Sequence, residues 1–247
     1  MPEIFPVNTL VGIIALVLIS TSLVWLCFSQ TLALLKFSMT RKVLIRVATA
    51  FVLVSWLAII VGMTSSGILA RGNAAGIVLA IAVPLMAGVS LLIVSPTFRQ
   101  IVDSMPQHWL IGIQTLRVGG FVILVLVDMR LVPTAFGTQA GFGDVLVGGL
   151  APMVAYWYYL NKPFARGVAS GFAALGFLDL INAGIQGLVL APPGGFAPQI
   201  APFFLLIPTY AVPLFILLHI FSLRGLLRRS TKVEAVENRR ATTVIAG

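Results

Sequence analysis

The sequence predicts an all-α membrane protein, a bundle of seven transmembrane helices, from three observations. The 247 residues are 59% hydrophobic and 9% charged, whereas a soluble domain carries about 25% charged residues. The mean hydropathy is +1.07, so the chain has too few polar groups to cover a surface that faces water. Seven apolar stretches each reach the roughly 20 residues that a membrane-spanning helix needs.

The seven predicted helices are numbered as segments 1 to 7 in chain order. They run from Asn8 to Phe28, Val43 to Met63, Ala74 to Val94, Trp109 to Asp128, Gly141 to Leu160, Gly167 to Leu190 and Ile200 to Phe221. Short polar connections separate them, at positions 36–42, 71–73, 95–96, 130–137, 161–163 and 192–195. None of these connections is long enough to fold separately. We therefore expect one transmembrane domain over residues 1–223 and a mobile, basic cytoplasmic tail over residues 224–247.

Loop charges predict the orientation of the chain, because cytoplasmic loops carry an excess of Lys and Arg. With the N-terminus outside, twelve of the sixteen basic residues fall on the cytoplasmic side and two fall outside. The other two, Arg46 and Arg117, lie within segments. The first residues lack the positive region of a cleaved signal peptide, so segment 1 is expected to remain as a helix. These features predict an odd number of crossings and a cytoplasmic C-terminus.

The same composition argues against several partners and cofactors. The basic residues cluster in loops and the tail, which favours membrane lipid over nucleic acid as the partner. The single cysteine, Cys27, supports neither a disulfide framework nor a metal cluster, and no metal-binding spacing is present. Segment 7 lacks the lysine of a retinal protein. His108 and His219 lie toward the cytoplasmic ends of segments 4 and 7, a placement compatible with haem ligation but common for histidines at a membrane interface. No cofactor is predicted.

Polar residues inside the predicted helices are concentrated in segments 4 to 6. Ionisable groups in hydrocarbon are costly, so they usually face the bundle interior and have a partner. The candidates are Gln114, Arg117, Asp128, Asp144, Asp179, Asn182 and Gln186. Helical spacing places the three in segment 4 on one face and the three in segment 6 on one face.

Two of these candidates match in depth. At a rise of about 1.5 Å per residue, Arg117 lies roughly 12 Å from the inner end of segment 4 and Asp179 roughly 14 Å from the inner end of segment 6. The depths predict an ion pair between Arg117 and Asp179 near the midplane. Such a pair is either part of a functional site or a structural link that holds segments 4 and 6 together.

The remaining carboxylates have simpler interpretations. Asp128 and Asp144 both lie near the outer ends of their segments. Asp128 is expected to pair with Arg130 at the interface. Asp144 is placed in the first turn of segment 5, where the helix dipole and unpaired N–H groups favour a carboxylate.

One motif in segment 5 resembles that of a known enzyme class. The stretch Gly141-Phe142-Gly143-Asp144 resembles the Gly-x-Gly-Asp motif of intramembrane aspartyl proteases. The resemblance implies two carboxylates that share a proton and activate water, with Asp128 or Asp179 as the partner of Asp144. It is confined to residues 141–148, and the Tyr-Asp and Pro-Ala-Leu motifs of presenilin-type enzymes are missing.

A second resemblance is broader and covers the stretch from Trp109 to His219. The residues that carry it are Gln114, Arg117-Val118-Gly119, Pro133, Ala135-Phe136, Ala140-Gly141, Gly143-Asp144, Leu146-Val147-Gly148, Gly176, Asp179-Leu180, Pro208 and His219. This pattern resembles uncharacterised bacterial multi-pass inner-membrane proteins. It implies a location in a bacterial plasma membrane and adds no activity.

These observations predict a polar intramembrane site between segments 4, 5, 6 and 7. The expected role is binding or moving a small solute or proton. Arg117 would bind an anion or pair with Asp179, and Asp179 would titrate or coordinate. The other expected site residues are Gln114, Asp144, Asn182 and Gln186. The alternatives are the aspartyl protease and a non-catalytic membrane subunit whose polar residues only hold helices together.

Overall fold

The computed structural model describes residues 7–69, 74–189 and 201–245, with side chains described for 9–69, 75–187 and 203–228. All regular structure in these ranges is helical, as the sequence predicts. The helices are α1 (Val7–Leu34), α2 (Met39–Ser65), α3 (Ala74–Val94), α4 (Pro96–Ser104), α5 (Gln107–Ile113), α6 (Phe121–Asp128), α7 (Thr134–Tyr159), α8 (Ala165–Val189), α9 (Ala201–Phe204) and α10 (Val212–Ile245). A 3₁₀ segment (Gln114–Gly120) joins α5 to α6, and a π-helical turn (Ile207–Ala211) precedes α10.

Six stretches of the described chain are long and apolar enough to cross a membrane. They are Thr9–Leu34, Met39–Ser65, Ala75–Val94, Gln107–Asp128, Ala165–Gly187 and Ile207–Arg228. Helix α7 falls outside this set, although it has 26 residues and, at about 1.5 Å per residue, exceeds a ~30 Å hydrocarbon core. Its glycines, Gln139 and Asp144 lower its apolar character.

The predicted boundaries agree with the structure where apolar composition alone defines a helix. Segment 3 coincides with α3, and segments 1 and 2 lie inside the longer helices α1 and α2. Segment 6 differs from α8 by one or two residues at each end. The predicted connections at 71–73 and 192–195 lie outside the described residues.

Segment 5 was predicted to begin too late. Helix α7 begins at Thr134, directly after Pro133, rather than at Gly141. The residue before the helix is thus a proline, whose fixed φ suits a helix start. Asp144 therefore lies in the third turn of α7, and the prediction that it caps the helix N-terminus is wrong.

Segments 4 and 7 were predicted as single helices, but both are interrupted. The stretch Gln107–Asp128 narrows to 3₁₀ geometry at residues 114–120, which end in the pair Gly119-Gly120. Segment 7 contains Pro208 and Pro213, which lack the N–H that an α-helix requires; the π-helical turn contains Pro208, and Pro213 lies in the first turn of α10. Helix α10 then continues past position 224 to Ile245. The mobility of the tail stays a prediction.

Helix α4 was not predicted, because its sequence is too polar for a membrane span. Ser95 accepts a hydrogen bond from the N–H of Phe98 and so caps the helix, and Pro96 occupies its first turn. Both features favour a helix start. Ile101 and Val102 are buried while the opposite face is polar. Helix α4 therefore packs its apolar face onto the bundle and leaves polar residues of the opposite face exposed.

The span Ile207–Arg228 lies at the centre of the bundle. In the 18-residue apolar stretch of this span, 67% of the residues are buried, against 11% in the corresponding stretches of α2 and α3. Helices α2 and α3 therefore present most of their apolar side chains outward, toward lipid. Helix α7 packs against the 3₁₀ segment and against α5, α6 and α8, so the polar residues of the second half of the chain converge on it.

Close packing of α7 on the 3₁₀ segment depends on Gly148. A Cβ atom at this position would lie 2.8 Å from the carbonyl carbon of Arg117, whereas a Cβ at the neighbouring Gly149 would meet nothing within 4 Å. Small residues at helix interfaces allow backbones in lipid to approach this closely.

We predict that Gly148→Ala destabilises the protein and that Gly149→Ala does not. The added methyl group at Gly148 meets backbone that cannot rotate away, and such overpacking costs about 1–3 kcal/mol. At Gly149, the same change meets open space and removes the conformational entropy cost of glycine in a helix, about 0.5–1 kcal/mol. Thermal unfolding of the detergent-solubilised variants measures both. Equal midpoints for the two variants would show that the contact at Gly148 is not tight.

Candidate functional site

Arg117 is the centre of a buried polar cluster. The residue is 1% exposed and lies on the 3₁₀ segment. Its Nε donates to Asp144 Oδ1 at 2.7 Å, and its Nη2 donates to a carboxylate oxygen of Asp179. Its Nη1 donates to the carbonyl oxygen of Gly176 at 3.1 Å and lies 3.4 Å from His219 Nε2. We call Arg117, Asp144, Asp179 and His219 the Arg117 cluster.

The ion pair predicted between Arg117 and Asp179 is therefore confirmed. The second ion pair, with Asp144, was not predicted. It follows from the earlier start of α7, which carries Asp144 inward. Charge-assisted hydrogen bonds of this kind are roughly twice as strong as neutral ones, and the two carboxylates come from different helices. Arg117 thus joins the 3₁₀ segment to α7 and α8 at one point.

The members of the cluster lie at similar depth in their helices. Asp144 is ten residues from the first residue of α7, Asp179 ten from the last of α8, and Arg117 ten from the start of α5. At about 1.5 Å per residue, each is roughly 15 Å from a helix end. His219 lies near the middle of the span Ile207–Arg228. Its predicted position toward the cytoplasmic end of segment 7 is wrong, because the helix continues further than its apolar stretch.

Glycines surround the cluster and make room for its side chains. A Cβ at Gly143 would collide with the carboxylate of Asp179, and one at Gly176 would collide with the ring of His219. A Cβ at Gly120 would collide with Asp144. A Cβ at Gly141, the first glycine of the Gly-x-Gly-Asp motif, would lie 2.6 Å from Leu124 Cδ2. Both glycines of that motif therefore have a packing role in this fold.

The charges in the cluster do not balance. One guanidinium and two carboxylates leave a formal charge of −1 when both acids are ionised and His219 is neutral. Arg117 already directs Nε, Nη1 and Nη2 to protein acceptors. The anion-binding role expected for Arg117 is therefore taken by its own carboxylates, and the remaining negative charge favours a cation.

Asp179 connects the cluster to an open groove between α7 and α8. The groove has a volume of about 590 Å³. Its lining residues are Thr134, Ala135, Thr138, Gln139, Phe142, Gly143, Leu146 and Asp179. The side chain of Asp179 is 17% exposed. We call this opening the α7–α8 groove.

Two predicted site residues, Asn182 and Gln186, lie beside this groove rather than in the cluster. Gln186 Nε2 lies 3.2 Å from Asn182 Oδ1 and also donates to Gln139 Oε1 across the helix pair. Gln139 lines the groove. These three amides form a hydrogen-bonded chain beside the groove that Asp179 also lines.

Gln114 forms its hydrogen bond with α10 and does not contact the carboxylates of Asp144 and Asp179. Its Nε2 donates to the carbonyl oxygen of Phe215 at 3.2 Å, while its Oε1 is buried and has no partner among the described residues. A cavity of about 10 Å³ beside Arg117 and Asp144 is close to the smallest space that holds one water molecule.

On the other side of the cluster, polar groups continue along α10. Ser222 follows His219 on the same helical face, and its hydroxyl donates to Gln107 Oε1 at 2.9 Å. Both Ser222 and Gln107 are buried. Sequence reasoning missed His219, Ser222 and Gln107 as site residues. The spacing of three between His219 and Ser222 within an apolar helix was the signal that could have found them.

The other titratable residues lie elsewhere. Asp128 is exposed at the end of α6, and no ion pair joins it to Arg130 within the described structure. The prediction of that pair is therefore wrong, and the backbone of Arg130 adopts a left-handed conformation with φ of 57°. His108 packs edge-on against Tyr159, with ring centroids 5.3 Å apart.

The fold and the cluster define a helical membrane protein with a buried ion-pair site. Residues 74–227 match a family model described as a domain of unknown function (DUF8737), and the chain belongs to that family. The match contains every residue of the Arg117 cluster. No curated protein matches the chain, and no solved structure matches it. The expected resemblance to an uncharacterised family is thereby confirmed, and the activity has to be argued from the site.

We predict that Arg117→Gln destabilises the protein by about 3–5 kcal/mol, because removing one partner of a buried ion pair leaves charge uncompensated. Here two carboxylates would face each other without a cation. The triple variant Arg117→Gln, Asp144→Asn, Asp179→Asn removes all three charges and should recover most of the loss. Thermal unfolding in detergent measures the unfolding midpoints of the parent protein, the single variant, the triple variant and a control variant.

The control is Asp128→Asn, which removes an exposed carboxylate and should leave the midpoint unchanged. If Arg117→Gln unfolds at the same temperature as the parent, the ion pairs contribute nothing to stability. If the triple variant is no better than the single one, the loss comes from packing rather than from unpaired charge.

Proposed function

We propose that the protein binds a proton, or a similarly small cation, at the Arg117 cluster and moves it across the membrane. One observation carries the proposal. A buried guanidinium holds two carboxylates at mid-depth, and one of them, Asp179, borders an open groove. Intramembrane carboxylates with an access path are typical of proton relays and ion pathways.

The charge imbalance gives the cluster two states that differ by one proton. With both acids ionised, Arg117 is shared between Asp144 and Asp179 and the net charge is −1. A proton that binds a carboxylate oxygen of Asp179 converts it to a neutral acid, weakens its ion pair, and leaves Arg117 balanced by Asp144 alone. Release of the same proton restores both pairs. The guanidinium keeps its charge throughout.

The polar groups on each side of the cluster supply the rest of the path. From the α7–α8 groove, Gln139, Asn182 and Gln186 lead to Asp179. Beyond Arg117, His219 is the next titratable group, and it is followed by the Ser222–Gln107 hydrogen bond. Imidazole accepts a proton on one nitrogen and donates from the other, so His219 suits the position of the inward relay.

The proposed topology is the one that loop charge predicts, with seven crossings, the N-terminus outside and the C-terminus in the cytoplasm of a bacterial cell. Helix α7, which has the necessary length and packs among α5, α6 and α8, would be the fifth crossing in chain order and would raise the count from six to seven. In this orientation the α7–α8 groove opens to the outside. His219 and Ser222 then lie on the cytoplasmic half of the path.

The protease alternative gains no support from the cluster. An aspartyl dyad needs two carboxylates that share one proton and hold a water between them. Arg117 donates to both Asp144 and Asp179, so a guanidinium rather than a shared proton links the two carboxylates. In the structural alternative, the ion pairs only hold the helices together. The transport test below distinguishes that role from proton movement.

We expect proteoliposomes containing the protein to acidify faster than protein-free vesicles when a membrane potential drives protons inward. A pH-sensitive dye trapped inside follows the rate. Asp179→Asn should reduce it to that of protein-free vesicles, because the amide cannot titrate. The matched control Asp128→Asn removes an exposed carboxylate and should keep the parent rate.

Flux equal to that of protein-free vesicles for the folded parent would favour the structural role. If Asp179→Asn keeps the rate of the parent protein, the proton does not pass through Asp179. Repeating the assay with a sodium or potassium gradient at equal pH distinguishes a proton from another small cation.

A second prediction concerns access to the groove. In a chain with Cys27→Ser, a cysteine at Thr138, which lines the groove, should react with a membrane-impermeant cationic thiol reagent added outside. A cysteine at Leu178, which is 63% exposed but does not line the groove, should not react, because thiolates form in water and not in lipid. Labelling is read by mass spectrometry. Equal labelling at both positions, or labelling of Thr138→Cys only from inside, would contradict the proposed access route.

A further inference from the structure

A second polar pocket lies at the other end of the bundle, between α4 and α10. It has a volume of about 570 Å³. Its lining residues are Pro96, Arg99, Gln100, Asp103, Ser104, Gly225 and Arg228. None of them belongs to the Arg117 cluster or to the α7–α8 groove. We call it the α4–α10 pocket.

Arginine outnumbers aspartate at this pocket. Asp103 accepts hydrogen bonds from Arg224 at 2.8 and 3.3 Å and also forms an ion pair with Arg228. Arg99 is the third guanidinium. Arg99, Arg228 and Asp103 line the pocket and Arg224 binds Asp103 beside it, so these three arginines and one aspartate leave a formal charge of +2. An anion is therefore the ligand that the charge favours.

The arginines retain hydrogen-bonding capacity. Arg99 donates from Nη2 to the carbonyl oxygen of Ile93 at 2.7 Å, but its Nε is buried without a partner in the described part of the chain. The side chain of Arg228 is 49% exposed. Guanidinium groups bind phosphate through several N–H donors at once, and Ser104 and Gln100 line the same pocket.

The position of the pocket identifies the source of the phosphate. Helix α3 ends at Val94, directly before the pocket, and its last residues Ile93 and Val94 are 68% and 77% exposed. These apolar side chains continue along a helix that faces lipid. A molecule with a phosphate in the pocket and acyl chains along α3 would therefore satisfy both surfaces.

We propose that the α4–α10 pocket binds the phosphate headgroup of an anionic phospholipid of the surrounding membrane. The acyl chains lie against the exposed apolar face at the end of α3. Anionic lipids attract basic segments at the cytoplasmic surface, and this pocket adds a defined binding geometry to that general attraction. The proposal does not depend on proton movement at the Arg117 cluster.

Titration of the full-length protein in detergent with phosphatidylglycerol, followed by native mass spectrometry, tests the proposal. Arg99→Gln with Arg228→Gln should weaken binding about 30-fold, from the loss of two basic contacts. Arg224 still holds Asp103 in this variant, and the unfolding midpoint is checked first. Arg99→Lys with Arg228→Lys, which keeps the charge, should retain part of the affinity.

The matched control is Lys36→Gln with Lys162→Gln. These exposed lysines lie in the connections that follow α1 and α7, outside the pocket, and their removal gives the same net charge. The control should lose less than about threefold, because distant surface charges are screened. Equal loss in both double variants would overturn the proposal in favour of diffuse attraction.

Two further binding experiments identify the ligand. Phosphatidylcholine, which is zwitterionic, should bind far more weakly than phosphatidylglycerol, and equal binding would overturn selection by charge. Inorganic phosphate should not displace the lipid at millimolar concentration. Displacement would show that a free anion, rather than a lipid headgroup, is the ligand of the pocket.

Discussion

The described structure depends on the cost of placing one guanidinium in hydrocarbon. Arg117 cannot lose its charge, and an isolated charge at mid-depth is unfavourable by several kcal/mol or more. The surrounding helices must therefore bring acceptors to it. Helix α7 supplies Asp144, and α8 supplies Asp179 and the carbonyl oxygen of Gly176. With these partners in place, α7 and α8 have little freedom to slide along the 3₁₀ segment, because movement by one turn would leave a buried charge without its counter-ion.

These contacts require glycine at the points where the helices approach each other most closely. In lipid there is no hydrophobic force between apolar helices, so close packing and polar contacts have to hold them together. The backbones of α7 and the 3₁₀ segment meet at Gly148, and the carboxylate of Asp179 occupies the space left by Gly143. The same glycines lower the apolar character of α7. A helix that carries the site is thus less hydrophobic than those that face lipid, and this explains why α7 is the long helix outside the six most apolar spans.

Hydropathy predicted the helices well, because burial in lipid requires a long apolar stretch and little else. It also located the Arg117–Asp179 pair, since depth follows from counting residues along a straight helix. The errors arose where polar residues belong to helices. Residues 130–137 resembled a connection, so the start of α7 at Thr134 and the second ion pair of Asp144 were missed. His219 was placed at an interface because the polar tail appeared to end its helix. Composition alone does not distinguish polar residues inside a helix from loop residues, and here such residues line the α7–α8 groove.

Helix α1 lies outside the family match, yet it completes the environment of the cluster. Leu16 lines the small cavity beside Arg117 and Asp144 and packs against Gly119. On the same helix, the hydroxyl of Thr21 lies 2.8 Å from that of Tyr210, at the π-helical turn. An ion-pair site is strong only where water is excluded, because the interaction energy falls with the local dielectric. Helix α1 therefore closes the side of the site opposite the α7–α8 groove, so that Asp179 faces the groove while Arg117 remains shielded from both lipid and water.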